Sequence, residues 1–537
     1  MKALSKLAGI VAIIISIPAS NVAAHDDAGE GKGALGKVSF VNTCEAKVQP
    51  QLQRGIAMLH SFWFNAGEAT FRDVLAHDPG CAIAHWGIAS LLMSNPLAGQ
   101  GALPKDLSRA LTAVDEARKV GTQSRTSQRE RDYIEAVAAY YRDFDSKPER
   151  ARQDARSKAY QALAARYPDD DEAQIFNALY LAGTQLQSDQ TYAAYLKAAE
   201  ILEKQFSKNP DHPGVAHYLI HSYDAQPIAG QGIKAARFYA TIAPAAPHAL
   251  HMPSHIFTRV GAWEDSVATN LRSFDTAVKG NDLTEAYHAS DYAVYANLQI
   301  ARDNDAKQVM NNAMKVTLPD AFFVGPYGAA SMPARYALER SAWGEAAALP
   351  DPKPSRFPHV DAITFFARAL GAARSGDLAS AARNGEQLAT MHKTLLDAKN
   401  NYWATEVEVQ RLTIAAWIAL AGKDQDNALK LMRAAADLED RNEKHIVTPG
   451  RPLPARELLA DMLMEVRQPA LALREYEVSQ EREPNRYRGL SGAASAANAA
   501  GDKTKAATYY SRLLTLAKNA DAQRPELAIA KAYVASR

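Results

Sequence analysis

Fourteen histidines in 537 residues are ordinary in number but uneven in placement: His217, His221, His248, His251 and His255 fall within one short stretch. The strings His217-Tyr-Leu-Ile-His221 and His251-Met-Pro-Ser-His255 each space two imidazoles by four residues. On a helix that spacing puts both rings on one face, a common way to aim two nitrogens at one metal ion. The two pairs also keep register, with 34 residues from His217 to His251 and 34 from His221 to His255. Equivalent helices packed about 8–10 Å apart can present their rings to a shared ion at about 2.0–2.1 Å from each nitrogen. These five histidines are the candidate metal ligands, and zinc or copper suits imidazole donors. Two other readings stand beside this one. With Tyr218 and Tyr223 the rings can form a polar network that fixes how repeats stack, or they can recognise a peptide carboxylate or a phosphate. Pro253 predicts a helix start near Met252, which leaves His251 at a frayed end.

Little else in the chain announces chemistry. His217-x-x-x-His221 lacks the glutamate that follows the first histidine of zinc-protease helices. No Gly-rich phosphate loop, serine nucleophile elbow or paired-cysteine zinc motif occurs, so no catalytic residue is assigned. The two cysteines, Cys44 and Cys81, are 37 residues apart, and each precedes a predicted helix that opens a repeat. Adjacent repeats bring such helix starts together, which predicts a disulfide worth about 3–4 kcal/mol in the chain-entropy model; the alternative is a pair of buried thiols. With 61 basic against 60 acidic residues, net charge is +1 and no long block of one sign appears. Wholesale binding of nucleic acid or anionic lipid is not indicated.

The elements that must position the histidines are helices. Apolar residues recur at helical spacing from Leu459 to Tyr476, and a shift of 34 places Ala493, Ala494, Ala497, Ala506 and Tyr510 on the same pattern. Gly501-Asp502 reads as the turn between two helices, with Gly ending one and Asp capping the next. Gly376-Asp377, Gly422-Lys423 and Gly261-Ala262-Trp263 mark further copies, and an early one runs through His60 and Phe71 to Asp78-Pro79. No strand alternation is evident. The expected fold is therefore all-α, an α-solenoid of helix-turn-helix repeats, because no pair can bury its apolar face without its neighbours.

This pattern resembles the tetratricopeptide (TPR) repeat. More specific strings resemble a family of exported bacterial TPR proteins: His217-Tyr-Leu-Ile-His221-Ser-Tyr-Asp224, Ala246 to Phe257, Lys444 to Gly450, and Leu453-Pro-Ala-Arg456-Glu457-Leu-Leu. Leu59 to Trp63 and Asp78 to Cys81 are similar to the same family, whose likeness spans roughly Gly36 to Tyr510 and carries no established reaction. The resemblance implies a concave groove faced by repeat positions 2, 5 and 9. In a frame set from Gly261 and Trp263, those positions are His248, His251 and His255. Asp224 then falls where it can accept a hydrogen bond from a ring N–H. His288 and Asp291 lie on the next first helix. Glu457 and Asp461 fall on groove positions of a later repeat, and a solvated helix face is their alternative reading.

The N-terminus reads as a signal peptide over residues 1–24: Lys2 and Lys6, an apolar run of 11 residues from Leu7 to Ile17, and small residues before a cut after Ala24. Residues 25–37 read as a disordered leader, 38–348 as N-terminal and central repeats carrying the histidines, and 359–537 as C-terminal repeats. The Pro-rich stretch from Leu349 to Pro358 separates the two arrays. No membrane span is expected in the mature chain, and the location is periplasmic or secreted. The expected function is binding of a peptide or protein partner in the groove. The alternative is a zinc or copper protein, in one version an enzyme, using the histidine cluster.

Overall fold

Small residues let successive helices approach, and large ones fill the gaps between pairs. Phe71 shows the rule: it is fully buried between Gly55 and Gly87, and a Cβ at Gly55 would meet its ring at 2.9 Å. The computed structural model, which describes residues 34–99, 101–123, 125–319 and 322–536, is built of consecutive helix pairs. No strand occurs among the described residues. Each pair packs on the next from Gln49–His60 with Phe64–His77 to Tyr487–Ala499 with Lys503–Leu516, and Pro525–Ala535 packs on the last of these. The fold is the α-solenoid of TPR-like helix pairs that the repeats predict. The signal-peptide reading lies outside the described residues.

Eight of the turns share one geometry. In them the residue two places before the second helix of a pair adopts the left-handed conformation. Gly261, Gly376 and Gly501 do so as glycine easily can. In the Gly422-Lys423 turn the left-handed residue is Lys423, not the glycine, at φ 68°. Phe62, Ala301, Ser341 and Arg467 hold the same place in turns that contain no glycine.

Two local expectations change and a third is met. Pro253 does not fray His251: a helix runs Pro247–His251, Met252 keeps helical φ and ψ of −51° and −36°, and a second segment continues Pro253–Val260. The proline only removes one donor, so the pair of histidines rides on a single bent helix. The end of the expected leader is tied down: Leu35 is buried, Lys37 N–H donates to the Asp211 carbonyl at 3.0 Å, and Ala245 N–H donates to the Ala34 carbonyl at 3.2 Å. Cys44 and Cys81 form the predicted disulfide, with Cα atoms 4.8 Å apart. No helix among the described residues is long and apolar enough to cross a membrane.

The array also curls back on itself. The Leu283–Gln299 helix packs against Tyr487–Ala499, Trp263 Nε1–H donates to the Asn485 carbonyl at 2.7 Å, and Arg524 pairs with Asp303. The loop after Gln425–Glu439 runs through the concave face as an internal strap. Tyr292 donates to the Thr448 carbonyl at 3.1 Å, and Arg335 donates to the carbonyls of Gly450 at 2.6 Å and Arg451 at 2.8 Å. A Cβ at Gly450 would sit 2.8 Å from the Tyr295 hydroxyl oxygen, so only glycine lets the strap pass here.

Candidate functional site

Beneath that strap six imidazoles converge. His217 and His221 project from the Pro213–Ser222 helix and meet His248 from Pro247–His251. His251, at the end of the same Pro247–His251 segment, and His255, from Pro253–Val260, meet His288 from Leu283–Gln299. Within each triplet one nitrogen per ring lies within 4.8 Å of the others. All six residues are buried, and the triplets abut: ring centroids of His248 and His251 are 5.8 Å apart, and those of His221 and His255 5.7 Å. The 34-residue register therefore gives two adjacent three-histidine clusters, not one cluster shared by two pairs.

The outer nitrogens are held by fixed acceptors, which decides where the lone pairs point. His217 Nδ1–H donates to the His60 carbonyl at 2.6 Å. His251 Nδ1–H donates to Asn270 Oδ1 at 2.6 Å, and Asn270 Nδ2 in turn donates to the Ser266 carbonyl at 2.7 Å, fixing the amide's orientation. His255 Nδ1–H donates to Asp224 Oδ2 at 2.8 Å. Asp224 is itself clamped by Arg259 Nε at 2.8 Å and faced by Lys444 Nζ at 3.5 Å. His248 Nδ1 and Glu285 Oε2 are 3.0 Å apart. Carboxylate or amide support on one ring nitrogen orients the other and raises its basicity.

The inner nitrogens then face one another. His251 Nε2 and His255 Nε2 are 3.0 Å apart, and His217 Nε2 and His221 Nε2 are 3.1 Å apart. Burial, and next the neighbouring imidazoles, push His217 well below the ordinary histidine range; the same causes act on His221 and His288. Burial takes His251 down to about 3. In the first pair His221 can donate through Nε2, at the expense of its buried Nδ1, which has no partner. In the second pair both rings already donate through Nδ1, so two lone pairs oppose each other at hydrogen-bond distance. A cation between them removes that repulsion. The other remedy, a proton on His255, places a buried imidazolium between Asp224, which favours it, and Lys444, which with burial opposes it.

The remaining sequence candidates separate. Asp224 orients His255, the supporting role its register suggested. Asp291 shares a helix with His288 but turns away to Arg335 Nε at 3.0 Å, and burial raises its carboxyl to about 6. Glu457 is not on a solvated face: it is fully buried and accepts from Arg486 Nε at 2.7 Å. Asp461 accepts from Tyr476 and from Arg488, each at 2.5 Å. Neither reaches the histidines; both hold the last repeats together. Sequence reasoning missed Glu285, Asn270, Arg259 and Lys444. Glu285 had a signal, since it precedes His288 by three residues as His248 precedes His251. Lys444 had none, because it arrives from nearly 200 residues downstream.

A second buried group adjoins the first triplet. His60 Nε2–H donates to Glu172 Oε2 at 2.9 Å and His212 Nε2–H donates to Glu172 Oε1 at 3.0 Å, while Tyr218 donates to His60 Nδ1 at 3.0 Å. Every ring nitrogen of His60 is thereby engaged within the protein. His85 stands apart, with Arg72, Glu116 and Lys119 as its charged neighbours. A cavity of about 430 Å³ opens onto the histidines, lined among others by Phe62, Phe64, Glu285, His248 and His288.

Fold and site thus define an all-helical solenoid with a buried, paired three-histidine cluster. No family model and no curated protein matches the chain. Among solved structures it is similar to a human IFIT1 dimer with m7Gppp-AAAA, at 12% identity over 81% of this chain and 90% of that one, with a TM-score of 0.35. Yeast Tom70 matches at 12% identity over 90% and 88%, with a TM-score of 0.27. The APC/C hetero-tetramer Cut9–Hcn1 matches at 12% over 90% and 95%, with a TM-score of 0.29.

Proposed function

We propose that this is an exported metal-binding protein whose central repeats hold two transition-metal ions, one in each three-histidine cluster. The observation that carries the reading is the second triplet, in which His251 and His255 aim Nε2 lone pairs at one point while Asn270 and Asp224 occupy their Nδ1 atoms. Three neutral nitrogens from two helices, backed by fixed acceptors, are the donor set of zinc and copper sites that keep a further position open. Export is supported by the signal-like N-terminus, the likeness of the His217 and His251 strings to an exported family, and the Cys44–Cys81 disulfide, a bond of oxidising compartments. The test is elemental analysis of protein recovered from its native compartment, beside the His217→Ala/His251→Ala double variant. Two ions per chain in the wild type and none held by the variant are expected; wild-type protein without metal overturns the reading.

A second reading is a scaffold for a protein partner. Helix-pair arrays offer extended surfaces for this purpose. Here the concave face above the histidines is filled by the chain's own strap, so a partner would dock outside it. A cleft of about 580 Å³ bordered by Arg259, Arg451, Arg456, Arg482, Glu443 and Glu483 is the surface that favours this reading. Pull-down with and without charge reversal at Arg482 tests it; the same partners from both samples count against that surface.

A further inference from the structure

Resting on the metal-binding reading above, we propose that the two clusters act as one dicopper centre that takes up dioxygen. Each cluster supplies three imidazole nitrogens and no carboxylate or thiolate, so each ion keeps an open position for an outside ligand. The clusters are side by side, with rings of different clusters 5.7 and 5.8 Å apart, so one small molecule can span both ions. His248 belongs to one cluster and His288 to the other, and both border the same cavity of about 430 Å³, so a ligand entering there meets the two sites together.

Charge favours the monovalent ion. Next to the six rings the carboxylates Asp224, Glu285 and Asp282 stand against the cations Lys444 and Arg259. Fixed charge is therefore nearly matched, and two monovalent copper ions leave less unpaired charge in the buried site than two divalent ions would. One aromatic ring packs on each cluster: Phe62 contacts His217 and His248 with ring centroids 4.5 and 5.6 Å apart, and Tyr292 contacts His251 and His255 at 4.7 and 5.1 Å. In the step, each Cu(I) gives one electron, the two become Cu(II), and dioxygen is reduced to peroxide bound between them. No proton moves, and the total charge of the centre is unchanged.

The test uses the full-length chain, stripped with chelator, titrated with Cu(I) without air and then exposed to oxygen. Two copper ions per chain, one dioxygen consumed per two coppers, a peroxide-to-copper charge-transfer band and no Cu(II) signal in electron paramagnetic resonance are expected. Two bound coppers that give uncoupled Cu(II) signals, or no oxygen uptake, overturn the dioxygen proposal and leave metal binding standing. Failure to hold any copper or zinc overturns both; retention of zinc alone overturns only this one. His288→Ala leaves the other cluster whole, so one copper and no band are expected, with helicity checked by circular dichroism. His248→Gln must lose the band in the same way; a band that survives either folded variant overturns the proposal.

Discussion

At the residue scale, the site is a matter of which nitrogen is engaged and which is left over. Asp224 fixes His255 through Nδ1, so Asp224→Asn is expected to weaken metal at the His251, His255 and His288 cluster by about 10–100-fold and to leave the other cluster unchanged. Competition titration resolving the two ions checks this, and equal loss at both contradicts it. Glu172 provides a separate pH argument. Burial pushes its carboxyl up, but His60 and His212 win and hold it well below the ordinary range. A lowered carboxyl pKa contributes stability that is present above the ordinary glutamate range and is lost as pH falls through and below it. Glu172→Gln is therefore expected to cost about 1.5–3 kcal/mol at pH 7, with the gap to wild type narrowing as pH falls below about 4.5. Urea unfolding at both pH values measures it. The spacing of four and the register of 34 made four of the six rings legible as a group, the repeat frame added His248, and His288 stood as their neighbour. The supports were not legible, because Asn270 and Lys444 come from other elements and carry no motif of their own.

At the scale of elements, turn geometry explains which repeats the sequence displays. Turns with Gly261, Gly376 and Gly501 are visible because glycine adopts the left-handed conformation without strain. Those built on Phe62, Ala301, Ser341 and Arg467 show no punctuation, since packing of the flanking helices forces the same conformation on a side chain that disfavours it. Lys423→Gly is expected to relieve this strain and raise stability by up to about 1 kcal/mol, seen as a higher denaturant midpoint with an unchanged slope. The opposite kind of change is removal of the disulfide. Replacing Cys44 and Cys81 by serine is expected to cost about 3–4 kcal/mol, measured by the same unfolding curves. Pro253 was misleading for an equally local reason: a proline in a helix removes one donor, and a bend at Met252 absorbs the loss without ending the helix.

At the scale of the whole molecule, the solenoid is closed by its own chain. Periodicity predicts stacked pairs but cannot report that the segment after Glu439 returns across the concave face, because a loop has no period. That closure buries the histidines, sets their protonation and brings Lys444 to Asp224. On the proposed metal-binding reading, an ion held there would stabilise the folded array as a whole: at a free ion concentration about 1,000 times Kd, one site would add about 4 kcal/mol. Chelation is accordingly expected to lower Tm, with restoration by zinc or copper and no effect in the His217→Ala/His251→Ala variant. The central claim, two ions in all-imidazole shells, is tested most directly by X-ray absorption at the metal edge of the protein as it comes from its native compartment. The account predicts a first shell of nitrogen at about 2.0–2.1 Å with the outer scattering of imidazole rings. A shell of oxygen or sulfur, or the absence of any metal edge, contradicts it.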